Sequence, residues 1–283
     1  EKGRFPGHFT AGFEASDALP RLVSIKAGTK VNVVPGKAKA AVEGFEMAAL
    51  EKAAAETKEE TGISFEFAAE GTVTEITATG IGAHASTPDV GNNALTGLLV
   101  FLGKLDFASC PQVDMVRKTA SLFPHGDVNG KTLGVAMEDE LSGNLTLSFN
   151  MLSVDAASMD GEFDGRIPVC GNDENVLEVV RARMAEQGLT LLNKALIPPH
   201  HVSADSYFVK TLLAAFELYT GRKGECQALG GGTYVHHLEN GVAFGAAMPE
   251  TDNKMHGPDE FAVVDELLVS AKIFAQAIVD LCG

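Results

Sequence analysis

Basic residues are few in this chain, and long apolar runs and closely spaced cysteine pairs are lacking. Its 22 Lys and Arg face 38 Asp and Glu, a formal net charge of −16. A phosphate-binding surface needs clustered Lys and Arg, so nucleic acid is not an expected partner. No apolar run is long enough to span a bilayer, and no basic-then-apolar segment opens the chain, so no membrane association is expected. Cys110, Cys170, Cys226 and Cys282 form no CxxC pair. Such spacing fits reduced thiols in a cytoplasmic protein better than a disulfide framework or a zinc ribbon. An initiator Met is also missing: the chain opens at Glu1-Lys2-Gly3, from which we expect the interior of a longer protein.

What is present is an ordinary globular composition, 45% apolar and 21% charged over 283 residues, enough for one or two domains. Strands are expected at Arg21–Ile25 and Ala38–Val42, joined by a turn at Asn32-Val33-Val34-Pro35-Gly36. An Ala-, Glu- and Lys-rich helix is expected from Met47 to Glu60, stopped by Gly62. Strands at Ser64–Ala68 and Thr72–Thr79 and an apolar helix from Asn92 to Leu105 follow. A similar order recurs after a less regular segment, Cys110–Gly143: strands at Leu145–Leu152 and Gly161–Pro168, a helix at Glu174–Gln187, a strand at Leu189–Ile197. This reads as two β-β-α-β units sharing one sheet, an α+β layer. Beyond Pro198-Pro199 the pattern changes to helix (Ser206–Thr220), strand (Glu225–Leu229), glycine-rich turn, strand (Val242–Ala246) and closing helix (Asp265–Leu281). That alternation predicts part of an α/β layer with ligands at the carboxyl ends of its strands.

Three stretches carry chemistry. Gly230-Gly231-Gly232-Thr233 can present backbone amides and a hydroxyl to a ligand, or serve only as a tight turn. His256 stands in the loop after an apolar strand, a place suited to a metal or substrate ligand. His84 sits in Gly82-Ala83-His84-Ala85-Ser86-Thr87-Pro88, where an imidazole can donate to a developing oxyanion or merely cap a turn. Taken in this order, with Gly91-Asn92-Asn93-Ala94 and Met255-His256-Gly257-Pro258-Asp259-Glu260-Phe261, the chain resembles the M20 metallopeptidases, most closely their PepV-like dipeptidase branch.

The resemblance implies a lid domain over residues 7–197 and the last part of an α/β catalytic domain over 198–283. It implies two zinc ions, replaceable by manganese or cobalt. Of their ligands only His256 falls in this chain, the His-x-Asp, Glu-Glu and Asp ligands lying in a missing N-terminal catalytic segment. It assigns His84 to the oxyanion. It gives Asn32, Arg166, Gly230, Gly231, Gly232 and Thr233 to a short peptide substrate, Arg166 capturing the terminal carboxylate. For Asn32 the alternative is a plain turn residue, and for Arg166 an ion pair with Asp160 or Asp164. The family usually has a bulkier residue where Gly165 stands. The implied activity is a dipeptidase, with deacylation of N-acyl amino acids or a non-catalytic oligomerisation module as rivals. The chain by itself is expected to be inactive, and the duplicated lid favours a monomer.

Two local matches are set aside. Glu59-Glu60 and His125-Gly126-Asp127 look like the acidic pair and the His-x-Asp motif, but they stand in the reverse order and inside the lid. Glu59 and Glu60 read as a solvated helix face and His125 as a surface loop residue. The pairs His200-His201 and His236-His237 diverge from one another and read as surface or helix-end residues.

Overall fold

The computed structural model describes residues 1–245, 248, 250–254 and 259–283. These form two units, Lys2–Pro199 and Glu1 with His200–Gly283.

The larger unit begins with β1 (Gly3–Gly12), in which Gly3, Phe5, Gly7 and Phe9 alternate inward. Sequence reading passes this strand over, because Gly and Pro depress strand propensity. Its glycines have a packing reason. A Cβ on Gly7 would lie 2.0 Å from the Phe163 ring, and one on Gly161 would lie 2.3 Å from the Phe9 ring. Each aromatic therefore rests on a glycine of the neighbouring strand. Pro6 breaks no ladder bond to that strand, since its carbonyl faces the other edge and accepts from Asn193 Nδ2 at 2.9 Å.

The strands β2 (Arg21–Ala27), β3 (Val33–Val34) and β4 (Lys37–Glu43) lead to helix α1 (Met47–Thr61). Gly62 ends that helix at φ 74°, a left-handed cap that suits glycine. Next come β5 (Ser64–Glu70), β6 (Val73–Thr79), β7 (Ala83–His84) and α2 (Ala94–Gly103). Asn93 caps α2, accepting from Leu95 N at 2.9 Å and Thr96 N at 3.2 Å. The segment expected to be irregular holds a helix, α3 (Pro111–Leu122). Proline at its first turn and buried Val113, Val116, Thr119 and Leu122 on one face explain it. The short strands β8 (Glu138–Asp139) and β9 (Gly143–Asn144) precede β10 (Thr146–Val154) and β11 (Ser158–Ile167). A π-helical turn at Asp173–Leu177 runs into α4 (Glu178–Glu186), and β12 is Thr190–Leu191. The strand expected over Leu189–Ile197 is thus short, resuming only as a bridge between Ile197 and Arg4.

The main sheet has eight strands in the order β12-β1-β11-β10-β2-β4-β6-β5, with antiparallel neighbours throughout. The fold is mixed α/β, and its halves match: β2-β4-β6-β5 on one side, β10-β11-β1-β12 on the other. The place that β6 fills in the first half is filled in the second by β1. Phe5, Phe9, Phe149 and Phe163 centre the core, Phe123 stacking on Phe149 at 4.4 Å. Eight of the ten α2 residues are buried, as an all-round apolar helix requires.

The smaller unit contains α5 (Tyr207–Thr220) and α6 (Val264–Cys282) around a small core of Leu212, Ala215, Ile273 and Ala277. The strands expected at Glu225–Leu229 and Val242–Ala246 are not formed: the first segment and the described part of the second, 242–245, are irregular. The apolar run is there, but no described segment of this unit offers a strand to pair with it, and unpaired backbone does not make a sheet. Among the described residues no helix is long and apolar enough to cross a membrane.

Candidate functional site

Two of the sequence-selected residues meet through the backbone. β3 pairs antiparallel with β7, setting Val33 opposite His84, and Ala85 N donates to the Asn32 carbonyl at 3.0 Å. Asn32 and His84 therefore share one small two-stranded ladder. Pro35 and Gly36 secure its base, their carbonyls accepting from Ala94 N and Gly80 N at 2.9 Å each.

His84 is exposed, and its Nδ1 faces Ser86. The Ser86 amide donates to Nδ1 at 3.1 Å, and the Ser86 hydroxyl lies 2.7 Å from the same atom. An Nδ1 that accepts an amide proton carries none in the neutral ring, so the proton resides on Nε2. That tautomer is the one an oxyanion donor needs.

One face of the main sheet carries a polar row in place of the aromatic core. Arg4, Arg166 and Thr146 are neighbours across β1, β11 and β10, and Asp164 stands opposite Ser148. Arg166 is 3% exposed and grips the fully buried Asp164, Nε to Oδ1 at 2.5 Å and Nη2 to Oδ2 at 3.2 Å. Arg4 adds a looser contact to Asp164 at 3.8 Å. The ion-pair alternative for Arg166 is therefore realised with Asp164, but in the interior and not on the surface. Arg4 Nε, Thr146 Oγ1 and Asn150 Oδ1 are buried without a hydrogen-bond partner among the described residues. A polar ligand or ordered water is what satisfies such atoms.

In the smaller unit, Thr233 offers both its amide (3.1 Å) and its hydroxyl to the Glu1 carboxylate, and His236 Nδ1 holds the other oxygen at 2.8 Å. Burial pushes the Glu1 carboxyl up, but the bonds from Thr233 and His236 outweigh it and hold the group below its usual range. His236 is thus a buried partner of Glu1, its side chain 6% exposed; of the two expected roles it takes the helix-end one, in the 3₁₀ turn Tyr234–His237. His200 Nε2 donates to the Gly241 carbonyl at 2.6 Å.

The rejected motifs resolve differently. Glu59 and Glu60 lie on the exposed face of α1, Glu60 reaching Lys104 at 2.9 Å. His125 is half-buried and meets the Thr96 hydroxyl at 2.9 Å, which corrects the surface-loop reading. Its imidazole pKa is lowered, chiefly by burial. Asp127 accepts the amides of Asn129, Lys131 and Thr132 and so shapes its own loop.

No family model matches the chain. It is similar to "Putative dipeptidase YtjP" of Bacillus subtilis (strain 168), 34% identical over 99% of this chain and 60% of that protein. The "Beta-Ala-Xaa dipeptidase" of Lactobacillus delbrueckii subsp. lactis is 31% identical over 99% of this chain and 59% of that protein. These relatives are dipeptidases by name. The chain spans about three fifths of their length. Among solved structures, an M20 family metallo-carboxypeptidase from Sulfolobus solfataricus superposes with a TM-score of 0.44 at 11% identity, covering 91% of this chain and 60% of that one. No residue correspondence is taken from so loose a superposition.

Among the described residues, no three His, Cys, Asp or Glu side chains gather in a group that could hold a metal ion. They do not fit the two-zinc site that the M20 resemblance implies. His256, the single ligand the resemblance places in this chain, lies outside the described residues.

Proposed function

We propose that this chain is part of an M20 dipeptidase that hydrolyses short peptides with a free terminal carboxylate, residues 7–197 acting as its lid and 198–283 as the end of its catalytic domain. The observation that carries the reading is the β3–β7 pairing, which sets Asn32 beside an imidazole protonated on Nε2. In this reading His84 donates from Nε2 to the carbonyl oxygen as charge builds there, and the Asn32 amide orients the scissile peptide. Thr233 binds the carboxylate through its amide and hydroxyl, as it does that of Glu1. Gly230, Gly231 and Gly232 let the backbone approach. Arg166 supplies positive charge from within the lid. The ligands for two zinc ions lie in the part of the relatives' length that this chain does not span, with His256 completing the set, so the chain alone is inactive. Two matched half-sheets in one chain favour a monomer, because each half already has its counterpart.

The test is turnover by the full-length gene product. Free dipeptides should be cleaved at least about tenfold faster, by kcat/KM, than tetrapeptides or N-acetyl amino acids. Preferential cleavage of N-acyl amino acids would replace this reading with a deacylase.

A further inference from the structure

The β10–β11 ladder shifts register between Phe149 and Met151, which leaves Asn150 as an extra residue in β10. A bulge of this kind re-aims one side chain out of the regular alternation. Here it turns the fully buried Asn150 toward the turn that precedes β3. Its Nδ2 donates to the Val31 carbonyl at 2.6 Å and to Ser148 Oγ at 2.8 Å. One residue earlier in the bulge, the Phe149 carbonyl accepts from Asn93 Nδ2 at 2.8 Å, which ties the start of α2 to the same point. The turn itself presses on the bulge: a Cβ at Gly28, where φ is +79°, would lie 2.0 Å from the Asn150 carbonyl oxygen.

Asn150 is a poor choice for stability alone. Its Oδ1 is buried with no hydrogen-bond partner among the described residues, a penalty that an apolar side chain of similar size would avoid. What only the amide supplies is a donor to Val31, the residue before Asn32. The path from sheet to site is then short: Asn150 to Val31, along the chain to Asn32, and from Asn32 through Ala85 N to His84.

We infer that Asn150 is a positioning residue, whose bond to Val31 sets the placement of the Asn32–His84 ladder over the sheet. It touches no reacting atom and acts through the backbone on either side of Asn32.

Hydrogen exchange on the full chain tests this without any catalytic assay. Asn150→Leu keeps the volume and removes the donor, and Asn150→Ser is too short to reach Val31 and serves if the first variant does not fold. Leu152→Ala weakens the same strand by a cavity and is the control for general loosening. In either Asn150 variant the Ala85 amide should exchange about tenfold faster or more, while amides of β4 and β6 stay within roughly twofold of the parent. An unchanged Ala85 amide, or equal acceleration by Leu152→Ala, overturns the inference. A second arm rests on the proposed dipeptidase reading: in the full-length product, Asn150→Leu should lower kcat by about a hundredfold with KM nearly constant, since a misplaced donor is felt mainly in the transition state. If the parent cleaves no dipeptide, the functional reading fails while the exchange result still decides the role of Asn150. If Asn150→Leu raises KM alone, placement of the β3–β7 ladder is not what the residue controls.

Discussion

A serine two positions along the chain selects the tautomer of His84. Because the Ser86 amide donates to Nδ1, the proton is held on Nε2 before any substrate arrives. If the proposed dipeptidase reading holds, His84→Ala in the full-length product reduces kcat by about 10²–10³ with little change in KM, the range for loss of one oxyanion donor. Steady-state kinetics on a dipeptide read this directly, and a change confined to KM would assign His84 to binding. Asp164 illustrates the opposite case, a charge inside the sheet that is tolerable only as a pair. Asp164→Asn removes the carboxylate charge that Arg166 grips in the interior. It should lower unfolding free energy by about 3–5 kcal/mol in urea titration. A loss below about 1 kcal/mol would show that other partners of Arg166 carry the compensation.

At the scale of elements, the aromatic-on-glycine packing between β1 and β11 decides how closely those strands approach. Gly7→Ala drives a methyl group into the Phe163 ring, so a destabilisation of about 1–3 kcal/mol is expected. Phe163→Leu should be less harmful in the Gly7→Ala background than in the parent, and a double-mutant cycle gives the coupling. The β8–β9 turn responds instead to acid. Asp139 accepts from the amides of Leu141, Ser142 and Cys170. Burial pushes its carboxyl up, but the bonds from Ser142 and Cys170 dominate and lower it from 3.8 to about 2. A depressed carboxyl contributes stability that is fully present above its unfolded value and is lost as pH falls from about 4 toward about 2. Exchange at the Ser142 and Cys170 amides should rise in that window, and Asp139→Asn should flatten the pH dependence.

At the scale of the whole molecule, the two units differ in how much core each contains. The sheet unit buries a continuous aromatic and aliphatic core, whereas among the described residues the buried apolar cluster between α5 and α6 is only Leu212, Ala215, Ile273 and Ala277, and α6 leaves Leu268, Ile278 and Val279 exposed. Amides of α5 and α6 should thus lose protection at lower denaturant than those of β10 and β11. A single transition shared by both units would contradict this. The alternation of helices with apolar runs is what pointed to an α/β layer here; the runs exist, but no described segment of this unit pairs with them as strands. Elsewhere the legible elements were those with local signals, such as Gly62 closing α1 and Asn93 opening α2. The elements missed were β1, whose inward positions alternate Phe with Gly, and α3, whose apolar stripe is interrupted by Thr119 and Gln112.

The amino-acid order alone determined the mixed α/β character, the repeated β-β-α-β pattern and the motifs around His84 and Gly230, because caps, turns and periodicity act within a few residues. Tertiary structure decided that β1 completes the second half-sheet and that Arg166 closes on Asp164. It also brought Asn32 to His84 over a bulge at Asn150. Each of these joins residues far apart in the chain, and only the packed sheet sets which backbone groups remain to be paired.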